Sequence, residues 1–245
     1  MNIHFSEWPA KRIFLFHYHF FKNAGTSLDF LLQNAFPAQW EERELEKEQQ
    51  VLKWINERPE NVCFSTHTYI GPPPRGENLL CIPLVFIRHP LDRIASVYEY
   101  ERNQDALGYG PEMAKRMKLA EYVRERNQID SQVRNFHLNR LAVMGGSEPE
   151  VRAVAAFLES LPFVGVVDQF EASINQLAAI LRFNKMNSLP TATAFENVNR
   201  DVFASLDARL EALRLEVGDD FYQYLQESNA ADLELYELAK SRLQM

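Results

Sequence analysis

The chain has 245 residues, of which 46% are hydrophobic and 24% charged, and this ordinary globular composition excludes disordered, collagenous and fibrous proteins. Its 34 acidic and 26 basic residues give a formal net charge of −8, which argues against a nucleic-acid-binding protein and against a basic membrane-binding surface. The two cysteines lack metal-binding spacing, no secretory signal is recognisable and no apolar run could span a membrane, so we expect a cytoplasmic protein without a metal site.

Short apolar runs that predict buried strands alternate along the chain with stretches of helical periodicity. In chain order, we predict a strand at residues 13–21, helices at 28–36 and 41–58, strands at 62–66 and 79–87, helices from 90 and at 112–126 and 147–161, a strand at 163–167 and a helix after 168–171. A polar loop at 184–199 precedes a helical C-terminal portion. This order predicts a single α/β domain over residues 1–245, with a central, mostly parallel sheet covered on both faces.

The first strand leads into a turn of small and polar residues, namely Lys22, Asn23, Ala24, Gly25, Thr26 and Ser27. A lysine, a glycine, two hydroxyls and the start of a helix together favour the binding of a phosphate or sulfate group. The pattern GxxxxGK[ST] is absent, because the lysine precedes the glycine. Ordinary kinase or GTPase chemistry is therefore disfavoured.

Two further polar segments follow the carboxyl ends of predicted strands, where parallel sheets bind their ligands. His67 follows the second strand, and Arg88 ends the third. Ser96 lies eight residues after Arg88, on the next helix, and both can reach one anion if the arginine leans over that helix. Arg93 on the same helix is expected to pair with acidic residues at the surface.

The segments HYHFFKNAGTSL and VFIRHPLDRIASVY resemble two motifs of the sulfotransferase family, in particular its carbohydrate-type and bacterial group. The first is similar to the 5′-phosphosulfate loop, usually His-x-Pro-Lys-x-x-Gly-Thr-Ser, and the second to the 3′-phosphate motif, Arg-x-Pro followed by a serine. Two later segments, FVGVVDQFEASINQLAAIL and DLELYELAKSRL, also look like that group. Phe21 stands where the family usually has proline, a departure that removes no donor atom.

This resemblance implies a P-loop-like three-layer sandwich that transfers a sulfuryl group from 3′-phosphoadenosine 5′-phosphosulfate to an acceptor hydroxyl or amine. By position, Lys22, Asn23, Ala24, Gly25, Thr26 and Ser27 would hold the 5′-phosphosulfate, while Arg88 and Ser96 would hold the 3′-phosphate. Lys22 would also stabilise the negative charge that grows on the leaving oxygen, and this chemistry needs no metal.

The acceptor must lose a proton, and His67 is the expected base, because it ends the second strand and an imidazole titrates near neutral pH. His17 and His19, on the first strand, are expected in the core or at the sheet edge, and His89 is expected to orient Arg88. Glu99 and Glu101 are alternative bases.

The acceptor stays open: a glycan, a lipid-linked sugar, a peptide tyrosine or a small molecule would each fit. Two other functions also stay open, a nucleotide-binding module that lacks transfer activity and a kinase with a variant phosphate loop. Lys185 and Arg200 flank a polar loop that could cover the adenosine.

Overall fold

The computed structural model describes residues 12–105, 107–184, 186 and 205–244. Its centre is a four-stranded parallel sheet in the order β2–β3–β1–β4. The strands are β1 (Arg12–Tyr18), β2 (Trp40–Glu42), β3 (Cys63–Thr66) and β4 (Leu79–Leu84). Two short strands, β5 (Phe86–Ile87) and β6 (Gly165–Val166), form a second parallel pair. The prediction of a mixed α/β fold around a parallel sheet is confirmed.

The register brings the carboxyl ends of three strands to one edge of the sheet. Tyr18 at the end of β1 pairs with Thr66 at the end of β3, and His17 pairs with Leu84 at the end of β4. The segments that follow these strands therefore leave the sheet side by side, which is the arrangement that the order of the polar segments predicts.

Eleven α-helices lie in the described part of the chain. They are α1 (Gly25–Ala35), α2 (Glu48–Asn56), α3 (Pro90–Asn103), α4 (Tyr109–Arg116), α5 (Leu119–Arg126), α6 (Phe136–Gly145), α7 (Val151–Ser160), α8 (Phe170–Phe183), α9 (Leu206–Val217), α10 (Asp219–Ser228) and α11 (Ala230–Arg242). None of them is long and apolar enough to cross a membrane. The predicted helical C-terminal portion is confirmed by α9, α10 and α11.

Helices pack on both faces of the sheet, and β1 shows why. Its side chains alternate between faces: Phe14 and Phe16 join a core cluster with residues of α2, α6, α7 and α11, whereas Leu15 joins a second cluster with residues of α1 and α8. A strand covered on both faces is hydrophobic at successive positions, and the apolar run from residue 13 has this property.

The structure corrects three predicted elements and adds one that was not predicted. Residues 41–58 are not one helix, because β2 comes first and α2 begins only at Glu48. The predicted helix at 112–126 is divided into α4 and α5, and α6 was not predicted. The predicted strand at 79–87 is interrupted between β4 and β5. Pro83 lies within β4, where it has no N–H to donate to its neighbour.

Candidate active site

A cleft of about 1050 Å³ opens at the carboxyl edge of the sheet. It is lined by the loop after β1, by α3, by the segment between β6 and α8, and by α9. The predicted site residues Lys22, Ala24, Gly25, Thr26, Ser27, His67, Arg88 and Ser96 all line this cleft. Residues separated by up to 74 positions in the sequence therefore face one space, and of the predicted set only Asn23 is not among the lining residues.

The loop between β1 and α1 has an uncommon backbone conformation. Lys22 and Ala24 have φ angles of 62° and 59°, in the left-handed region that non-glycine residues seldom occupy, and α1 begins at the next residue, Gly25. The first amides of a helix lack intrahelical acceptors and so can bind an anion. A strained turn persists only where contacts with the surrounding structure hold it.

Arg93 holds this loop from the interior. It is only 1% exposed, its Nε donates to the Phe21 carbonyl (3.1 Å) and its Nη1 donates to the Gln132 carbonyl (2.6 Å). Its guanidinium also lies 3.4 Å from the centre of the Phe136 ring. The expectation that Arg93 pairs with acids at the surface is wrong, because tertiary packing places this helix face against the loop.

Asn23 lies below the cleft, in a buried chain of polar groups. Its Oδ1 is 3.1 Å from Nε2 of His137, and Nδ1 of His137 is 3.0 Å from Oδ2 of Asp232 on α11. All three side chains are buried. The backbone N–H of Asn23 donates to the Phe20 carbonyl. The side chain of Asn23 therefore ties the loop to α6 and α11.

Arg88 links the loop to α3. Its Nε donates to Oδ2 of Asp92 (2.7 Å) and its Nη1 donates to the Lys22 carbonyl (3.2 Å), and within the described chain Nη2 has no protein acceptor. Asp92 also accepts from Nε (2.8 Å) and Nη2 (3.1 Å) of Arg209. Although burial opposes ionisation, these two arginines lower the pKa of Asp92 below its usual value.

Arg209 lines the cleft and was missed by the sequence analysis. It lies on α9, 117 residues after Asp92, and no local motif connects the two positions. Lys185 and Arg200, the residues considered for the same region, lie outside the described residues.

The surroundings of Lys22 disfavour its charged form. Its Nζ lies 4.4 Å from the centre of the Tyr100 ring, a cation–π contact, and the Tyr100 ring packs edge-to-face against Phe21. Burial and the neighbouring Arg88 lower the pKa of Lys22 to about 8, while Glu99 acts in the opposite direction. A bound anion would therefore stabilise the charged form of Lys22.

Three histidines form a stack beside the loop. The ring of His19 lies 5.2 Å from that of His17 and 3.8 Å from that of His67, in each case nearly parallel. Nδ1 of His17 and Nδ1 of His19 bind the two oxygens of Asp29, at 2.7 and 2.8 Å. Burial opposes ionisation of Asp29, but these two histidines lower its pKa well below the usual value.

His67 lies at the open end of the stack. Its side chain is 40% exposed, and its Nδ1 lies 3.1 Å from Glu42 and 2.8 Å from Glu44. His19 also lines the cleft, although its side chain is only 11% exposed. His19 was expected in the core or at the sheet edge, and the structure places it beside His67 in the cleft.

Among the described residues, two groups of side chains have atoms close enough together for a cation. They are His17 with His19 and Asp29, and Glu42 with Glu44 and His67. In both groups, hydrogen bonds or ion pairs between the members account for the short distances. We identify neither group as a metal centre.

This chain is similar in sequence to a known archaeal protein. The chain is 36% identical over 243 residues to a protein of Archaeoglobus fulgidus described as "Uncharacterized protein", and the match covers 92% of this chain and 95% of the archaeal protein. The chain belongs to the same family as this archaeal protein. The similarity therefore extends over nearly the whole chain. No protein-family model matches the chain.

Proposed function

We propose that this protein is a sulfotransferase that moves a sulfuryl group from 3′-phosphoadenosine 5′-phosphosulfate to the hydroxyl group of an acceptor. The observation that carries the proposal is that the Lys22 loop and the Arg88–Ser96 segment line one cleft. The proposal includes a P-loop-like three-layer sandwich and a cytoplasmic location. An anion-binding turn after the first strand of a parallel sheet is typical of such nucleotide-binding folds.

The donor would lie along the carboxyl edge of the sheet. Lys22, Thr26, Ser27 and the first amides of α1 would hold its 5′-phosphosulfate, while Arg88 and Ser96 would hold its 3′-phosphate. The cleft volume of about 1050 Å³ lies slightly above the range usual for small-molecule sites, about 300–1,000 Å³, and so leaves room for an acceptor beside the donor.

Transfer would proceed by in-line displacement at sulfur. The acceptor oxygen forms a bond to sulfur while the bond between sulfur and the bridging oxygen of the nucleotide breaks, and that oxygen leaves with the electron pair. Lys22 and the α1 amides would stabilise the charge that develops on the leaving phosphate. The proton of the acceptor hydroxyl passes to a base in the cleft.

The acceptor class follows in part from the charges in the cleft. Besides its cations, the cleft is lined by acidic residues at its α8 and α9 side, Asp168, Glu171 and Glu216. A long sulfated polyanion would be repelled there. We therefore propose a glycan, a lipid-linked sugar or a small molecule with a free hydroxyl as the acceptor.

The test is transfer of ³⁵S from labelled donor to pooled phenols, alcohols and monosaccharides. We expect transfer by the wild type and a loss of about 10²–10³-fold in Lys22→Ala, since one charge-stabilising donor is removed. Lys53→Ala, a change at an exposed lysine of α2, is the matched control and should keep full activity. Full activity of Lys22→Ala would contradict the assignment.

The same preparation separates the two alternatives. Magnesium-dependent consumption of ATP, in place of sulfuryl transfer, would identify a variant kinase. Binding of adenosine 3′,5′-bisphosphate without turnover on any acceptor pool would identify a nucleotide-binding module.

A further inference from the structure

We infer that His19, and not His67, accepts the proton of the acceptor hydroxyl, with Asp29 holding the His19 ring in the required orientation. This inference rests on the proposed function. It assigns the role of base to a histidine that the sequence predicted in the core or at the sheet edge.

The hydrogen bond to Asp29 decides which nitrogen of His19 is basic. Asp29 is ionised and can only accept, so Nδ1 of His19, 2.8 Å from Oδ2, carries the proton. The lone pair of the neutral ring therefore lies on Nε2. Within the described residues Nε2 has no protein partner, and His19 lines the cleft. A carboxylate on one ring nitrogen and a reactant on the other is the usual arrangement of a catalytic histidine.

The position of His19 is fixed relative to the anion-binding loop. A Cβ atom at Gly25 would overlap Cδ2 and Nε2 of His19, so the Nε2 edge of the ring rests directly on the first residue of α1. The amides of that first turn are the ones that would hold the 5′-phosphosulfate. A base at this place lies beside the group that is transferred.

His67 is less suited to the same task. Its Nδ1 faces Glu42 and Glu44 at the exposed edge of the cleft, and its ring stacks 3.8 Å from that of His19. We assign His67 the role of covering the outer face of His19.

The charged groups around His19 agree with this assignment. Asp29 and His17 face it from α1 and β1, His67 with Glu42 and Glu44 lies on its outer side, and Lys22 shares the cleft. In the reaction, the acceptor O–H proton moves to Nε2 as the oxygen bonds to sulfur. The resulting imidazolium pairs with Asp29 and later releases its proton to water.

The test compares His19→Asn with His67→Asn, since an asparagine can keep the hydrogen bond of Nδ1 but has no counterpart of Nε2. Activity is measured with ³⁵S-labelled donor and the fastest member of the acceptor pools, and binding of adenosine 3′,5′-bisphosphate is measured by calorimetry. We expect His19→Asn to lower kcat about 10²–10⁴-fold with the nucleotide Kd changed less than about threefold, and His67→Asn to lower kcat less than about tenfold.

The dependence of kcat/KM on pH gives a readout that a structural role would not move. In the wild type and in His67→Asn, kcat/KM should rise with pH along an acidic limb, and this limb should be missing in His19→Asn. A larger kcat loss in His67→Asn, an acidic limb that persists in His19→Asn, or a large loss of nucleotide affinity in His19→Asn would each overturn the inference. Failure of the wild type to transfer sulfuryl groups would instead overturn the proposed function beneath it.

Discussion

At the scale of single residues, the lowered pKa of Lys22 predicts that binding of an anion is coupled to proton uptake. With a pKa of about 8, Lys22 is mostly neutral at pH 9 in the free protein, and a bound phosphate favours its charged form. We therefore predict uptake of close to one proton when adenosine 3′,5′-bisphosphate binds at pH 9, and almost none from this residue at pH 6.5. Calorimetry in buffers of different ionisation enthalpy measures the number of protons taken up on binding.

Lys22→Arg is the matched control for this prediction. An arginine stays charged at pH 9, so the variant should bind the nucleotide with no proton uptake at this position. Equal proton uptake by the wild type and by Lys22→Arg would show that another group is responsible.

The sequence predicted most of the residues that line the site. It did not predict the contacts that several of them make. The run from Lys22 to Ser27 and the pair Arg88 and Ser96 are local patterns, and all but Asn23 line the cleft. Arg93 and His19 lie within the two quoted motifs, but these motifs do not specify the contacts of the two side chains. Their roles depend on Phe136 and Asp29, which packing brings into contact with them.

At the scale of elements, the loop after β1 is held in place by helices that are remote in sequence. Arg93 of α3 binds its carbonyl at Phe21, and the chain from Asn23 through His137 reaches Asp232 of α11. Asp232 also accepts from the backbone N–H groups of His137 and Leu138, and so caps the start of α6. These contacts, from helices that follow the loop in the chain, hold the loop in its conformation.

Asp232 should make the protein sensitive to acid. Although burial opposes ionisation, His137 and the capping amides lower the pKa of Asp232 below the unfolded value near 3.9. Its carboxylate therefore stabilises the fold above about pH 4, and this contribution is lost as the pH falls below that value. We predict that Asp232→Asn lowers the free energy of unfolding by about 3–5 kcal/mol at pH 7, with a smaller difference from the wild type at pH 2.5.

Urea unfolding at the two pH values measures this difference. Asp207→Asn, a change at an exposed aspartate in the first turn of α9, serves as the control and should alter stability little at either pH. A loss in Asp232→Asn that is equal at pH 7 and pH 2.5 would show that packing, and not the carboxylate charge, is responsible.

The elements that the sequence failed to predict share a physical reason. Strand β2 has three residues and is stabilised by its pairing with β3, and α6 begins at a residue, Phe136, whose cap comes from Asp232 on another helix. Neither has a strong local signal. The longer, apolar elements β1 and α1 were predicted because their own residues specify them.

At the scale of the whole molecule, the order of the strands brings the polar segments of the cleft together. Parallel pairing of β1 with β3 and β4 sends three polar segments to one edge, and this was predictable from the order of strands and helices. The contribution of α9 was not predictable, because Arg209 reaches the site through Asp92, from a part of the chain that follows the sheet. Helix α9 therefore completes the cleft.

The central claim is that one nucleotide with two phosphate groups spans this cleft, from the Lys22 loop to Arg88. Its most direct test is calorimetry with adenosine 3′,5′-bisphosphate and adenosine 5′-monophosphate on the wild type, on Arg88→Ala and on the control Arg102→Ala, at the exposed end of α3. We predict that the wild type and the control bind the bisphosphate about 10–10²-fold more tightly than they bind the monophosphate. Arg88→Ala should lose this preference and still bind the monophosphate. Equal affinity of the wild type for both nucleotides, or no binding of either, would contradict the account.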